Sequence, residues 1–168
     1  MKINLSNLDG TLKKLLLVYL FTVSIGLSVG LVYLAQNTSF SVKGTVEHYN
    51  GSTAGNGDDF DIPEKFPKPL GELLMTTHNH VLGLSFLFLS IGLIFYFTSL
   101  VNSFWKTFLM IEPLLSVIFT FGSIWGIRYI NPGFVYVTVV SAVLMYSAVF
   151  VMIFLSVYEL ITGKENRR

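Results

Sequence analysis

His78 and His80 stand one residue apart in Met75-Thr76-Thr77-His78-Asn79-His80, and the chain's third histidine lies upstream in Glu47-His48-Tyr49-Asn50-Gly51. Neutral imidazole offers a lone pair to haem iron, zinc or copper. Helical residues two apart point roughly 200° away from each other, so they cannot share one ligand as an i, i+4 pair can. Either each histidine faces its own partner, or the helix starts irregularly and an extended His-x-His converges on one ion. His48, His78 and His80 with a water would make a three-nitrogen zinc or copper site. Glu47, or an Asp of Asp58-Asp59-Phe60-Asp61, could supply a carboxylate instead. Haem b would take His78 or His80, with His48, Met75, Met145 or Met152 as a second axial ligand. Gly83 lies one turn below His80, and Ser85, Phe86 and Phe88 follow as candidate walls of a slot. No other apolar run contains a histidine, which counts against a two-helix bis-His haem. The plainer alternative is a set of polar interfacial residues bonded to loop carbonyls, with Tyr49 beside them.

Glu112 is the one acid well inside an apolar run. Two readings apply. It snorkels to the surface or pairs with Lys106, which is the favoured one, or it is a proton-relay or quinone-site carboxylate.

Four apolar runs must position these groups: residues 15–36, 81–101, 108–127 and 134–160. Each is close to or above the roughly 20 residues that cross a bilayer as a helix. The expected fold is an all-α, four-helix transmembrane bundle forming a single integral membrane domain over residues 1–168. Residues 37–80 form one polar extracytoplasmic loop, with a short strand within 39–48 and a short interfacial helix over 70–80 that begins after Pro69. The first run reads as an uncleaved signal anchor. Gly26-Leu27-Ser28-Val29-Gly30 and Gly122-Ser123-Ile124-Trp125-Gly126 are small-xxx-small patterns that let helices approach closely. Lys2, Lys13, Lys14, Lys106, Lys164, Arg167 and Arg168 fall on one side, against Lys43, Lys65, Lys68 and Arg128 on the other. The positive-inside rule then puts both termini in the cytoplasm and the histidines on the outer side.

Composition closes several routes. Only 12% of the 168 residues are charged and mean hydropathy is +0.65, against about a quarter charged in soluble domains. A net charge of +1 gives no footprint for nucleic acid. The chain has no cysteine, which excludes disulfides, thiolate metal sites, iron–sulfur clusters and a covalently attached haem. There is no phosphate-cradling glycine loop, nucleophile elbow or H-E-x-x-H, and the protein is not expected to be an enzyme by itself.

His48-Tyr49-Asn50-Gly51, Glu72-Leu73-Leu74 and Thr77-His78-Asn79-His80, with Pro113 and Asn131-Pro132-Gly133-Phe134 further on, resemble a group of small four-span bacterial membrane proteins of uncertain function. These carry an H-Y-[RN]-G outer loop and an E-L-L-x-x-[ST]-H-x-H helix start. A c-type haem in the first loop of some relatives implies a place near electron transfer, although this chain lacks the cysteines. Thr77-His78-Asn79-His80 also resembles the haem-ligand helix starts of haem–copper oxidases over that one stretch. Together these lead to an expected haem- or metal-binding membrane protein of a bacterial respiratory or redox system, ligated by His78, His80 and His48. Its partners would be the bilayer, other membrane subunits, or a redox partner on the outer face. The alternatives are an accessory or assembly subunit, and a small transporter with Glu112 as carrier group.

Overall fold

A computed structural model describes residues 4–52, 63 and 65–163. Five helices run in order: α1 (Gly10–Thr38), α2 (Val42–Asn50), α3 (Leu70–Tyr96), α4 (Ser103–Tyr129) and α5 (Val135–Thr162). Among the described residues there is no strand. α1, α3, α4 and α5, the last with the turn that precedes it, are long and apolar enough to cross a membrane. The chain is an all-α integral membrane protein. α3, α4 and α5 pack on one another as the core, with α4 against α5 the most extensive contact, and α1 leans on α5. Ile91 and Phe95 of α3, Val117 of α4, and Val149 and Met152 of α5 fill the centre. α1 contributes Leu20 and Leu27, and its Tyr19 hydroxyl bonds Ser90 of α3.

Asp9 caps α1 by accepting from the Thr11 and Leu12 amides at 2.9 and 3.0 Å, satisfying donors that a helix start leaves free. The expected strand over 39–48 is a helix instead. Ser41 Oγ caps α2 through the Gly44 amide at 2.9 Å, and the valines that suggest alternation, Val42 and Val46, are also four apart on one helical face. Gly44 allows the tight entry, because a Cβ there would lie 2.1 Å from the Thr38 carbonyl oxygen.

The expected interfacial helix and second span are one rod. Nothing breaks the helix between Pro69 and Gly83, and Glu72-Leu73-Leu74-Met75 are strong helix formers. At 27 residues, α3 is about 40 Å long, beyond the ~30 Å hydrocarbon thickness. The rod stops at Tyr96, short of Val101. The polar Thr98-Ser99 pair is drawn to Glu159 of α5, whose carboxylate accepts from Thr98 Oγ1, from the Ser99 amide at 2.8 Å and from Ser99 Oγ at 2.8 Å. Lys106 Nζ donates to the carbonyls of Tyr96 and Thr98 at 3.1 and 2.6 Å. The N-terminal turn Leu5–Asn7 docks here too, with the Leu5 amide on the Phe97 carbonyl at 3.1 Å. Lys13 is buried and spans Ser6 O and Gly163 O at 2.9 and 3.0 Å. This is the terminal end of the bundle; α2 marks the loop end.

α4 begins at Ser103 rather than near Phe108, because Asn102 Oδ1 accepts the Trp105 amide at 3.1 Å and caps it. Towards the loop end, hydroxyls tie α4 to α5: Thr120 to Ser141 at 2.8 Å and Ser123 to Thr138 at 2.7 Å. Such contacts bind helices in lipid, where apolar association has no driving force.

Candidate functional site

The loop end carries the histidines. Tyr49 and Gly51 begin a short run that pairs with residues 65–68. The Lys68 amide bonds the Tyr49 carbonyl at 3.0 Å, the Ser52 amide bonds the Lys65 carbonyl at 2.9 Å, and the Lys65 amide bonds Ser52 Oγ at 3.0 Å. Gly51 sits at φ +82°, and a Cβ there would stand 2.8 Å from the Lys65 oxygen and from the Pro67 ring. Asn50 Nδ2 reaches the Ile127 carbonyl of α4 at 3.0 Å. Arg128 Nε donates to the Lys68 carbonyl at 3.2 Å, and Trp125 Nε1 donates to Thr77 Oγ1 at 2.9 Å. His-Tyr-Asn-Gly is therefore a staple holding the polar segment on α4, and Thr77 is part of the α3–α4 joint.

His48 is half-buried on α2, its ring edge-on to Tyr49 at 4.9 Å. Burial, then Lys68 and Lys65, hold its pKa below the ordinary 6.5, with Glu72 opposing. Burial, with Tyr33 as a lesser cause, pushes the Tyr49 hydroxyl up to about 12. His78 and His80 lie on a regular helix and face apart, so the irregular start that would let them converge does not occur. His78 is exposed. His80 is exposed as well, stacks on Phe121 of α4 at 5.0 Å, and bonds Thr76 O through Nδ1 at 2.8 Å. Among the described residues no three His, Cys, Asp or Glu side chains gather closely enough to hold a metal ion. The structure does not bring His48, His78 and His80 into one set. The 58–61 acidic cluster lies outside the described residues. Gly83 opens onto no neighbour within 4 Å. Phe86 is 72% exposed while Phe88 is 2% exposed, so the expected slot walls stand on different faces of α3.

Glu112 differs from its expected role. It is buried and does not pair with Lys106, which is spent on the Tyr96 and Thr98 carbonyls. Because α4 starts at Ser103, Glu112 lies about 13 Å along the helix rather than near its end. Its Oε1 accepts from Ser116 Oγ, one turn on. Its Oε2 is covered and has no hydrogen-bond partner among the described residues. The side chain forms part of the wall of a lateral groove of about 960 Å³ between α4 and α5, with Phe108, Leu115 and Phe119 on one side and Tyr136, Val140 and Leu144 on the other. Most of these apolar residues are exposed at the bundle surface. A carboxyl in an apolar, laterally open groove can hold the polar group of a molecule that arrives through the bilayer. The sequence signal for its depth is the capping residue Asn102 followed by Ser103. Without that cap, α4 starts one turn too late and Glu112 falls at its edge.

A family model described as a transmembrane helical domain matches residues 39–167. No curated protein and no solved structure matches the chain.

Proposed function

The chain belongs to this family of transmembrane helical domains, and from that premise we propose that it is an intramembrane binding protein for a lipid-soluble molecule, taken from the bilayer into the α4/α5 groove. The observation that carries the reading is Glu112 Oε2, which is buried in an apolar groove wall without a donor. A buried polar atom left unpaired costs about 1–3 kcal/mol, and acids within membrane spans commonly mark ligand or ion pathways. The groove volume is within the roughly 300–1,000 Å³ of small-molecule sites. In the sequence, the basic residues near the two chain ends and at Lys106 outnumber Lys43, Lys65, Lys68 and Arg128, which supports a cytoplasmic placement of both termini in a bacterial inner membrane.

The test is organic extraction of the protein purified in mild detergent, beside a Val140→Trp variant that fills the groove. The expected result is an apolar compound at close to one per chain in the parent and depleted in the variant. Equal small-molecule content in the two preparations contradicts the reading.

A second reading keeps a haem, zinc or copper role in a redox system, and one observation favours it. With Nδ1–H donating to Thr76 O, His80 would present a bare Nε2 lone pair, the arrangement that orients metal-bound histidines. A ligand there would draw its remaining donors from a partner subunit. A Soret band or stoichiometric metal lost in His80→Ala supports this reading, and a colourless, metal-free parent protein removes it.

A further inference from the structure

We propose that the α4/α5 groove takes a hydroxylated ring on an apolar chain, of the hydroquinone class, with the ring hydroxyl bonded to Glu112. This rests on the groove-binding reading above and specifies its ligand from depth, wall chemistry and the hydrogen bond that Glu112 lacks.

Depth excludes phospholipid headgroups. α4 has 27 residues and is about 40 Å long, so it overshoots a ~30 Å hydrocarbon layer by about 5 Å at each end. Glu112, about 13 Å from the start, lies roughly 8 Å inside the hydrocarbon. A molecule whose polar group meets it there carries that group below the headgroups. Neutral lipids with one small polar head do so; phosphate-bearing lipids do not.

The missing bond specifies the head. Ser116 already serves Oε1, and Oε2 lacks a partner. The carboxyl torsion is soft, so a small turn presents this oxygen to the groove. A hydroxyl both donates and accepts. It therefore satisfies Oε2 whether or not that oxygen carries a proton, which a ketone or an ether cannot do.

The walls specify the rest. Phe104, Phe108 and Phe119 on α4 and Tyr136 on α5 line the groove along its length. From Phe104 to Phe119 it is about 22 Å long, with Glu112 near the middle. Phe108 precedes Glu112 by one turn, so a ring bonded to Glu112 can lie against an aromatic face. Beyond Glu112, the apolar walls on both helices leave room for a chain.

The experiment uses the full chain in phosphatidylcholine nanodiscs, titrated with hydroquinone bearing a decyl tail, with the dimethyl ether of the same compound as a control. The readout is bound compound after separation, for the parent, Glu112→Gln, Glu112→Leu and Val140→Trp. The expected result is saturable 1:1 binding of the hydroquinone to the parent. Binding falls roughly tenfold or more in Glu112→Leu, falls less in Glu112→Gln, and is lost in Val140→Trp; the ether binds the parent as weakly as the hydroquinone binds Glu112→Leu. If hydroquinone and ether bind the parent equally and Val140→Trp abolishes both, the groove reading stands and the hydroxyl assignment is overturned. If neither compound binds the parent above Val140→Trp, this ligand class is overturned, while the extraction experiment continues to judge the groove reading independently.

Discussion

Glu159 and Glu112 are two buried carboxylates in one bundle, and the regions around them use their acids in opposite ways. At the terminal end, Glu159 is 3% exposed and accepts from Thr98 Oγ1, Ser99 N and Ser99 Oγ. It ends α3 and binds that end to α5. In the groove, Glu112 is 9% exposed and has one hydroxyl bond, on Oε1, with Oε2 left over. On the proposed reading, the difference separates a structural acid from one kept for binding. Burial alone does not separate them; the count of satisfied lone pairs does. The loop end belongs with Glu159. Its Asn50, Trp125 and Arg128 are engaged in holding the polar segment to α4. Asn50 Oδ1 and Ser156 Oγ are also covered without a partner among the described residues, but both belong to neutral side chains, and Asn50 is already anchored through Nδ2 to the Ile127 carbonyl.

The largest expected effect that sharpens this contrast is at Glu159. Glu159→Leu leaves the Ser99 amide and two hydroxyls without their acceptor, and is expected to cost roughly 3 kcal/mol, read from thermal unfolding in detergent. A loss below about 1 kcal/mol would break the comparison from the structural side. Next comes Gly51→Val, which places a branched side chain at φ +82° against the 65–68 backbone. A cost of about 2–3 kcal/mol is expected, together with faster hydrogen exchange at the Lys65, Lys68 and Ser52 amides while α5 stays protected.

The smallest effect is the pH response of His48. Its folded-state pKa is below the ordinary 6.5, so below that pH the unfolded chain binds more protons. Stability therefore rises with pH through this window and declines as pH falls from about 6.5 towards the folded value. His48→Asn is expected to flatten this dependence in unfolding curves measured across pH 5–8. An unchanged slope would place the titrating group elsewhere.

The membrane spans were legible because an uncharged run of about 20 residues has few other homes. Their ends were not, because partners distant in sequence set them. α3 stops where Thr98 and Ser99 meet Glu159, some sixty residues on, and hydropathy holds no trace of that pairing. The sequence of α2 suggests a strand because Val42 and Val46 satisfy both periods, and only the Ser41 cap with Gly44 decides for a helix. In the sequence the His-Tyr-Asn-Gly element stands out by its histidine, whereas the structure uses Tyr49 O, Asn50 Nδ2 and the φ of Gly51. His78 and His80 are ligand-type residues, yet helical geometry sets them on different faces. Glu112 is plain in the sequence, but its depth depends on the cap at Asn102, which hydropathy does not register.

The most direct measurement is the unfolding midpoint of Glu112→Leu beside Glu159→Leu and the parent, in one detergent and after any co-purified compound has been stripped by detergent exchange, because a bound ligand would itself raise the parent's midpoint. Glu112→Leu removes an unpaired buried oxygen and fills the space with an apolar side chain, and Ser116 Oγ, which loses Oε1 as acceptor, can turn to the carbonyl one turn back. The account predicts a midpoint equal to or above that of the parent, while Glu159→Leu falls by several degrees. A Glu112→Leu protein destabilised as much as Glu159→Leu would contradict the central claim, because Glu112 would then be holding the bundle together rather than waiting for a ligand.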